Sequence, residues 1–307
     1  SGTFTPGTGT VVFDGKGAQT ITKSGGESFY NLTVNKSSQS ITLNNNIIVS
    51  NILTLTQGNI ITGANTLTIG TGTGATGSIS YTSGIINGKL TRWINSPGTD
   101  ILFPIGNATF YCSAIIRFTN LTGGTLTAEF VSTNPGNTGL PLSENGFSIE
   151  NAFTEGYWSL TAANSLASTN FNLNLTATNF SSYTIGASTR LLKRADASSS
   201  WTLSGTHSDA VNPVVKRTGL SGVTAHYGLG KTACSPFGIT EISGDTIVCI
   251  NETDVAYSVP STPGNTYTWS VTGGSITAGQ GSTSITVTWG ASGGNGKVEI
   301  TEYDDCG

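Results

Sequence analysis

Residues 29–69 read FYNLTVNKSSQSITLNNNIIVSNILTLTQGNIITGANTLTI. Pairs of apolar residues separated by one polar residue recur along it, as in Leu32 with Val34 and Leu53 with Leu55. Such alternation predicts short strands, and the Asn- and Gly-rich runs between them predict tight turns. The second pair follows the first by 21 residues, an offset typical of one β-solenoid coil. We therefore predict a short β-solenoid in which the two pairs stack and Asn and Thr side chains hydrogen-bond from coil to coil, with a meander of small hairpins as the alternative.

The composition of the whole chain predicts an all-β protein. Only 10% of the 307 residues are charged, whereas 36% are hydrophobic and 41 are glycine. Thr, Val and Ile, which favour strands, are abundant, and no stretch rich in Leu, Glu and Lys could sustain a helix. From Ser37 to Gly88 no residue is charged. We expect this segment to pack against a neighbouring module or against another copy of the chain.

Charge and the length of apolar runs argue against two kinds of interaction, with nucleic acids and within membranes. The net charge is −4 and the basic residues form no cluster, so a nucleic acid partner is not expected. No run approaches the roughly 18 apolar residues that indicate a membrane-spanning helix, and we expect no membrane insertion.

Changes in strand length and charge divide the chain into three regions. Residues 1–88 form the solenoid-like repeat region. In residues 89–233 charged and aromatic residues return and the alternating runs lengthen, which predicts a β-sandwich domain. Residues 234–307 carry shorter runs, the first at Thr246–Ile250, in the number and length of an immunoglobulin-type sandwich. Linkers are predicted near residues 84–89 and 231–237.

Four cysteines allow three disulfide pairings. Cys249 and Cys306 lie near the start and the end of the third region, and a bond between them would stabilise so small a domain by about 4 kcal/mol. Cys112 and Cys234 then remain as a second pair, with free core thiols as the alternative. Disulfides would place the chain in an oxidising compartment, as in exported proteins.

No residue pattern indicates catalysis. The glycine motifs at residues 72–77 and 290–294 match the spacings of a nucleotide-binding loop and a nucleophile elbow, but both need a following helix that the sequence does not provide. His207 falls in a turn and His226 in a strand-like run, so neither forms an acid–base pair with a second positioned group. We expect no enzyme activity and no cofactor. A cluster that could bind Ca²⁺, or could equally form a solvated strand, comprises Glu299, Glu302, Asp304 and Asp305.

Five tryptophans could offer flat rings to a sugar. The alternating neighbours of four of them place these in cores, namely Trp158, Trp201, Trp269 and Trp289. Trp93 precedes a Pro-Gly turn and is the candidate ligand platform. The longest loop, at Asn134–Pro141, is where a binding surface would most naturally lie.

The third region resembles a known family. Its marks include Val248-Cys249, Tyr257-Ser258-Val259, Val287-Thr288-Trp289 and the closing Cys306-Gly307. This series is similar to the PKD-like module of Bacteroidota surface proteins, and upstream strings such as FYNLTVN and LTLTQGNIITG resemble the strand-repeat region of the same large proteins. The resemblance implies an exported cell-surface or adhesin-type protein, secreted through the outer membrane and without enzyme activity. It also supports the pairing of Cys249 with Cys306.

Asp245-Thr246-Ile247 resembles the short O-glycosylation site of Bacteroidota exported proteins. In a strand over Thr246–Ile250, alternation would turn Ile247 and Cys249 inward and Thr246 outward, as an acceptor requires. Thr246 is therefore the candidate O-glycosylation residue.

Together these features favour a non-catalytic extracellular structural and adhesive module of a long cell-surface fibre or adhesin. Its partners would be neighbouring modules or copies of the same chain, together with surface glycans. The alternative function is a glycan-binding accessory module of a secreted hydrolase.

Overall fold

The computed structural model of the protein describes residues 4–232, 241–262 and 265–303. The described residues form strands and no helix, which confirms the all-β prediction. The chain divides into two compact units, residues 1–232 and residues 233–307.

The strands of the first unit are rich in Val, Ile, Leu and Thr at alternating positions, as half-buried strands require. They are β1 (Thr10–Phe13), β2 (Gln19–Ile21), β3 (Glu27–Leu43), β4 (Ile47–Ile69), β5 (Ser78–Tyr81), β6 (Ile86–Ile94), β7 (Asp100–Phe103), β8 (Ile105–Gly106), β9 (Ala114–Phe118), β10 (Gly124–Val131), β11 (Leu142–Glu144), β12 (Phe147–Ala152), β13 (Tyr157–Ala163), β14 (Phe171–Thr176), β15 (Arg190–Arg194), β16 (Thr206–Val211), β17 (Val214–Leu220) and β18 (Ala225–Thr232).

Strands β1 to β6 form the predicted solenoid. β3 pairs in parallel with β1 and β2 on one edge and with β4 on the other, and β4 pairs in parallel with β5 and β6. In this register Leu32 lies opposite Leu53 and Val34 opposite Leu55, so the predicted stacking at an offset of 21 residues is confirmed. A hairpin meander would pair its strands antiparallel, and the parallel ladder excludes it.

Polar side chains repeat from coil to coil and bond to one another. The Asn51 amide donates to Asn31 Oδ1 at 2.9 Å, and Asn31 in turn donates to the Thr10 hydroxyl at 3.3 Å. Asn44 donates to the Thr22 hydroxyl at 3.0 Å. These side-chain hydrogen bonds confirm the predicted stacking of Asn and Thr. They satisfy the polar side chains of successive coils without charged groups.

One charged side chain is buried in the coils. Lys36 is 2% exposed, and its ammonium donates to the Gly17 carbonyl at 2.7 Å and to Gln19 Oε1 at 2.9 Å, with the Gly15 carbonyl as third acceptor. Three acceptors match the three protons of an ammonium group. Lys36 therefore fixes the loop between β1 and β2.

Strand β6 joins the solenoid to the sandwich. It pairs in parallel with β4 on one edge and antiparallel with β10 on the other. Ile86 is fully buried and lies opposite both Ile60 and Ile105, because it extends a column of the coil core. The linker predicted near residues 84–89 is therefore wrong, and the first two predicted regions are joined by a continuous ladder within one unit.

The sandwich consists of two sheets that share one core. The long sheet continues from β6 through β10, β13, β18, β12 and β11, while β16, β17, β14, β9 and β7 form the second sheet in that order. Phe118 of β9 lies opposite Phe171 of β14, and both are fully buried together with Trp158 of β13. Trp158 donates its indole N–H to the Cys112 carbonyl at 2.7 Å. The predicted β-sandwich is confirmed.

The second unit is a small sandwich, as predicted for the third region. Strands β19 (Ser243–Gly244), β20 (Val255–Ser258), β23 (Ser284–Trp289) and β22 (Gly274–Ala278) form one sheet, and β21 (Thr266–Thr272) and β24 (Lys297–Tyr303) form the other. Trp269 is 2% and Trp289 is 7% exposed, so both belong to its core, as expected from their alternating neighbours.

The linker predicted near residues 231–237 includes the end of β18, and its residues from 233 onward lie outside the described residues.

The strand predicted at Thr246–Ile250 does not form. The Glu252 carboxylate accepts the backbone N–H of Cys249 at 2.5 Å, and Asn251 adopts a left-handed φ of 61°, so the segment closes a turn. Ile247 is consequently 91% exposed and Cys249 is exposed, contrary to their predicted inward positions.

Candidate functional site

Four neighbouring strands of the first unit place threonines side by side. The pairing register aligns Thr68 of β4, Thr91 of β6, Thr127 of β10 and Thr161 of β13. Adjacent strands lie about 4.8 Å apart, so the four threonines form a row across the sheet with about one residue per strand spacing. Their neighbours along the strands, such as Leu126, are buried in the core, so alternation turns the threonines to the opposite face. On that face Thr161 is exposed and Thr68 and Thr127 are half-buried, whereas Thr91 is only 9% exposed. The hydroxyl oxygens of Thr91 and Thr127 lie 2.6 Å apart and share a hydrogen bond.

Trp93 lies two positions along β6 from Thr91 and therefore on the same outward face. Its side chain is half-buried and stands opposite Thr125 of β10. The Thr125 hydroxyl in turn accepts a hydrogen bond from the Asn164 amide at 3.0 Å. The remaining tryptophans are all buried, with Trp158 at 0%, Trp201 at 1%, Trp269 at 2% and Trp289 at 7% exposure. Trp93 is thus the one tryptophan of the chain outside a core.

On the side of the threonine row away from Trp93, the next row of outward residues contains one basic and one acidic side chain. Leu90 pairs with Ala128, so the preceding residue of β6, Lys89, stands beside Glu129. Burial raises the pKa of the Glu129 carboxyl, and the positive charge of Lys89 opposes that rise. The row therefore has no net charge where both groups are ionised. Three neighbouring rows thus lie on one face of the sheet: the four threonines, Trp93 with Thr125, and Lys89 with Glu129. We call these three rows together the threonine face.

A buried ionic cluster connects the two sheets at one end of the sandwich. Glu144 of β11 accepts hydrogen bonds from Arg217 of β17, with Nη1 at 3.1 Å and Nη2 at 2.5 Å, and Arg190 Nε of β15 lies 3.2 Å from the same carboxylate. Arg190 Nη1 lies 2.9 Å from His207 Nε2 of β16. Arg190 and Arg217 are 2% and 1% exposed.

Burial lowers the pKa of His207, and the neighbouring positive charge of Arg190 lowers it further. The carboxylate nearest to the ring, that of Asp209 at 3.6 Å, is 82% exposed. Because the cationic groups in this cluster are held by Glu144 and by backbone carbonyls, the arrangement ties strands together and offers no positioned acid–base pair. Sequence reasoning missed the cluster, since Glu144 and Arg217 are 73 residues apart.

The long loop at Asn134–Pro141 is fastened to the outer side of the sheet. Arg194 donates to the Pro135 carbonyl at 2.9 Å, and the Trp201 indole donates to the Gly136 carbonyl at 2.8 Å. The Arg194 guanidinium lies 4.2 Å from the centre of the Trp201 ring and 5.3 Å from that of Tyr157, in cation–π contact with both. The loop is therefore held by buried side chains.

A cleft of about 540 Å³ lies in the second unit, between the turn that follows β19 and the glycine-rich loop that precedes β24. Tyr257 and Trp289 line it, and so does Thr246, the candidate glycosylation residue, which is exposed. Cys249 lines a smaller neighbouring cleft of about 290 Å³.

The two described cysteines differ in environment. Cys112 is fully buried, and burial, with a smaller contribution from the charge of Glu155, raises the pKa of its thiol. Neither Cys112 nor Cys249 is bonded to another described residue. Their predicted partners, Cys234 and Cys306, lie outside the described residues, so both pairings stay predictions.

The acidic cluster near the C-terminus is only partly described. Glu302 is buried and accepts a hydrogen bond from the Asn265 amide at 2.7 Å, while Glu299 pairs with Lys297. Asp304 and Asp305 lie outside the described residues. In the part of the chain that the structure describes, no three His, Cys, Asp or Glu side chains lie close enough together to hold a metal ion. A search of the same residues for a helix that could cross a membrane finds none.

Comparisons with known proteins bear on the second unit. A family model described as a PKD-like domain matches residues 235–307. Searches of curated proteins and of solved structures gave no match. The match covers the last quarter of the chain, which is thus similar to PKD-like domains.

Proposed function

We propose that the chain is a non-catalytic structural and adhesive module of a long cell-surface fibre or adhesin. Its PKD-like domain suggests an extracellular structural or binding module. The observation that carries the proposal is the unbroken ladder of the first unit, in which one sheet runs from β1 through the solenoid coils to β11 of the sandwich.

This ladder would act as a rigid spacer. Six strand pairings separate β1, near the start of the unit, from β18 at its end, which amounts to about 29 Å along the sheet at about 4.8 Å per pairing. The shared β6 replaces a flexible linker between coils and sandwich. Neighbouring modules, or copies of the same chain, are the partners we propose for the charge-free segment from Ser37 to Gly88.

Stiffness can be measured with two spin labels on the first unit. Cysteines introduced by Ser38→Cys and Val211→Cys, both exposed positions, would carry the labels in a background that also carries Cys234→Ser, Cys249→Ser and Cys306→Ser. We expect a single narrow distance distribution, because no flexible segment joins the two parts. A broad distribution would rule out a rigid spacer, and so would release of products from a panel of polysaccharides and peptides, since the proposed module is not an enzyme.

The proposed location is outside the cell, after export through the outer membrane. Oxidising conditions there would allow the pairs Cys249 with Cys306 and Cys112 with Cys234, and Thr246 is exposed and accessible to a glycosyltransferase. Mass spectrometry of the non-reduced protein from its native source tests the three assignments separately.

A second candidate function is a glycan-binding accessory module of a secreted hydrolase. It is favoured by Trp93, which is the one tryptophan outside a core. The reading frame on either side of this chain separates the two candidates. Further copies of these modules support a fibre, whereas an adjoining hydrolase domain supports the accessory module.

A further inference from the structure

The threonine face is a regular grid of polar groups on a sheet. Strands about 4.8 Å apart and outward residues about 6.8 Å apart along each strand set its two spacings. Its centre is uncharged, with Thr68, Thr91, Thr127 and Thr161 in one row and Trp93 beside Thr125 in the next. Thr91 is 9% and Thr125 is 4% exposed, so a ligand that lies along the sheet would meet mainly the hydroxyls of Thr68, Thr127 and Thr161 and one aromatic ring.

Trp93 is the feature that a purely structural role does not explain. A tryptophan that fills a core is almost wholly buried, as the other four are here. Leaving part of a large apolar ring in water forgoes part of its hydrophobic stabilisation. A ring in that position is suited to stacking on the C–H face of a sugar, where its remaining surface can be buried.

The electrostatics of the face fit a neutral ligand. Lys89 and Glu129 stand side by side and cancel, and the threonines carry no charge. A polyanion such as nucleic acid or an acidic polysaccharide would need several unpaired cations, whereas Lys89, the cation of this face, stands beside the Glu129 carboxylate. Hydroxyl groups donate and accept hydrogen bonds, as the hydroxyls of a neutral sugar do.

We infer that the threonine face binds an extended, uncharged polysaccharide of the β-1,4-linked, ribbon-like class, with Trp93 stacked on a sugar ring. The inference rests on the adhesive part of the proposed function and names its ligand class and its site. A sheet face surrounds a short sugar far less than a pocket does. Affinity on such a face comes from many weak contacts repeated along a polymer, so the chain should prefer an insoluble polysaccharide surface to free oligosaccharides.

The test is a binding isotherm of the purified chain on microcrystalline cellulose and on chitin powder, with Trp93→Ala as the main variant. We expect the wild type to bind at least one of the two powders. Trp93→Ala should weaken that binding about tenfold or more, the effect of losing about 1.4 kcal/mol of stacking. The matched control is Tyr303→Ala, which truncates an aromatic residue that is 48% exposed in the other unit and should bind like the wild type. Circular dichroism and thermal unfolding verify that each variant is folded.

A second variant probes the threonine row without touching the ring. Thr161 is exposed at the end of the row, and Thr161→Arg would hold a flat polymer away from the face. We expect this variant, too, to lose binding while unfolding like the wild type.

Three results would overturn the inference. The first is wild-type binding that Trp93→Ala leaves unchanged, and the second is failure of the wild type to bind either powder. The third is concentration-dependent self-association in sedimentation that Trp93→Ala abolishes, which would assign the face to a second copy of the chain. None of these results affects the spin-label distances, so failure of the ligand assignment can be distinguished from failure of the rigid-spacer function.

Discussion

The solenoid coils and the sandwich satisfy their polar side chains over very different sequence distances. In the coils Asn51 meets Asn31, which is 20 residues away, and Asn44 meets Thr22 at a separation of 22 residues. In the sandwich Arg217 reaches Glu144 across 73 residues. The stability of each coil thus depends on contacts with the adjacent coils. The stability of the sandwich depends on contacts between strands that are far apart in sequence. Damage to a coil should stay local, and damage to the buried cluster should release both sheets.

The largest effect is expected for Arg217→Met. This variant removes one of the two buried cations that hold the Glu144 carboxylate, whose side chain is 16% exposed. Removing one partner of a buried ion pair typically costs about 3–5 kcal/mol, and we expect the unfolding free energy of the first unit, measured in urea, to fall by about that amount.

The matched control for this variant is Arg117→Met. Arg117 pairs with Asp100 at 3.3 Å, but the two side chains are 55% and 61% exposed. An exposed pair contributes about 0–1 kcal/mol, so the control should unfold almost like the wild type. Equal losses in the two variants would mean that the buried cluster does not hold the sheets together.

A second pair of variants compares a coil core with the sandwich core directly. Leu53 of β4 and Leu173 of β14 are both fully buried, and Leu→Ala at either position should cost about 3 kcal/mol. The distribution of the damage should differ. Hydrogen exchange should rise mainly in β3, β4 and β6 for Leu53→Ala, but across both sandwich sheets for Leu173→Ala. A global rise in both variants would show that coils and sandwich unfold as one cooperative body.

The coils were more predictable from sequence than the sandwich for the same physical reason. In a parallel coil the repeat offset alone selects the partner, so the spacing of Leu32 and Leu53 was enough to predict their contact. The pairing of Glu144 with Arg217 depends on how the strands of the two sandwich sheets are arranged between distant positions, and no local pattern reports that arrangement.

The candidate site shows the same limit. The half-buried Trp93 was identified from its neighbours in sequence, but the row from Thr68 to Thr161 exists only through the register of four strands. The prediction of a strand at Thr246–Ile250 failed because alternation over five residues does not report the turn that Glu252 closes.

A smaller effect tests the ladder of the coils. Asn51→Ala removes the hydrogen bond from Asn51 to Asn31, and a typical net contribution of one such bond is about 1 kcal/mol. The double variant with Asn31→Ala should cost less than the sum of the two single variants, because both remove the same bond. Strict additivity would show that the two side chains are not energetically coupled. In that case apolar stacking, and not the amide ladder, would set the register of the coils.

The smallest and most gradual effect is expected from pH. Burial and Arg190 lower the pKa of His207, and burial and Arg194 lower that of His226, in each case from an ordinary value of 6.5. As the pH falls below about 6.5 the unfolded chain therefore takes up protons before the folded sandwich does, so stability is full above that pH and declines toward the folded pKa values. Both histidines lie outside the charge-free coil segment, which contains none. Between about pH 7 and about pH 5, where most carboxyls stay ionised, hydrogen exchange corrected for its intrinsic rate should rise in β15 to β18 and not in β3 and β4. His207→Gln should remove part of that pH dependence, and an equal rise in coils and sandwich would contradict the separation between them.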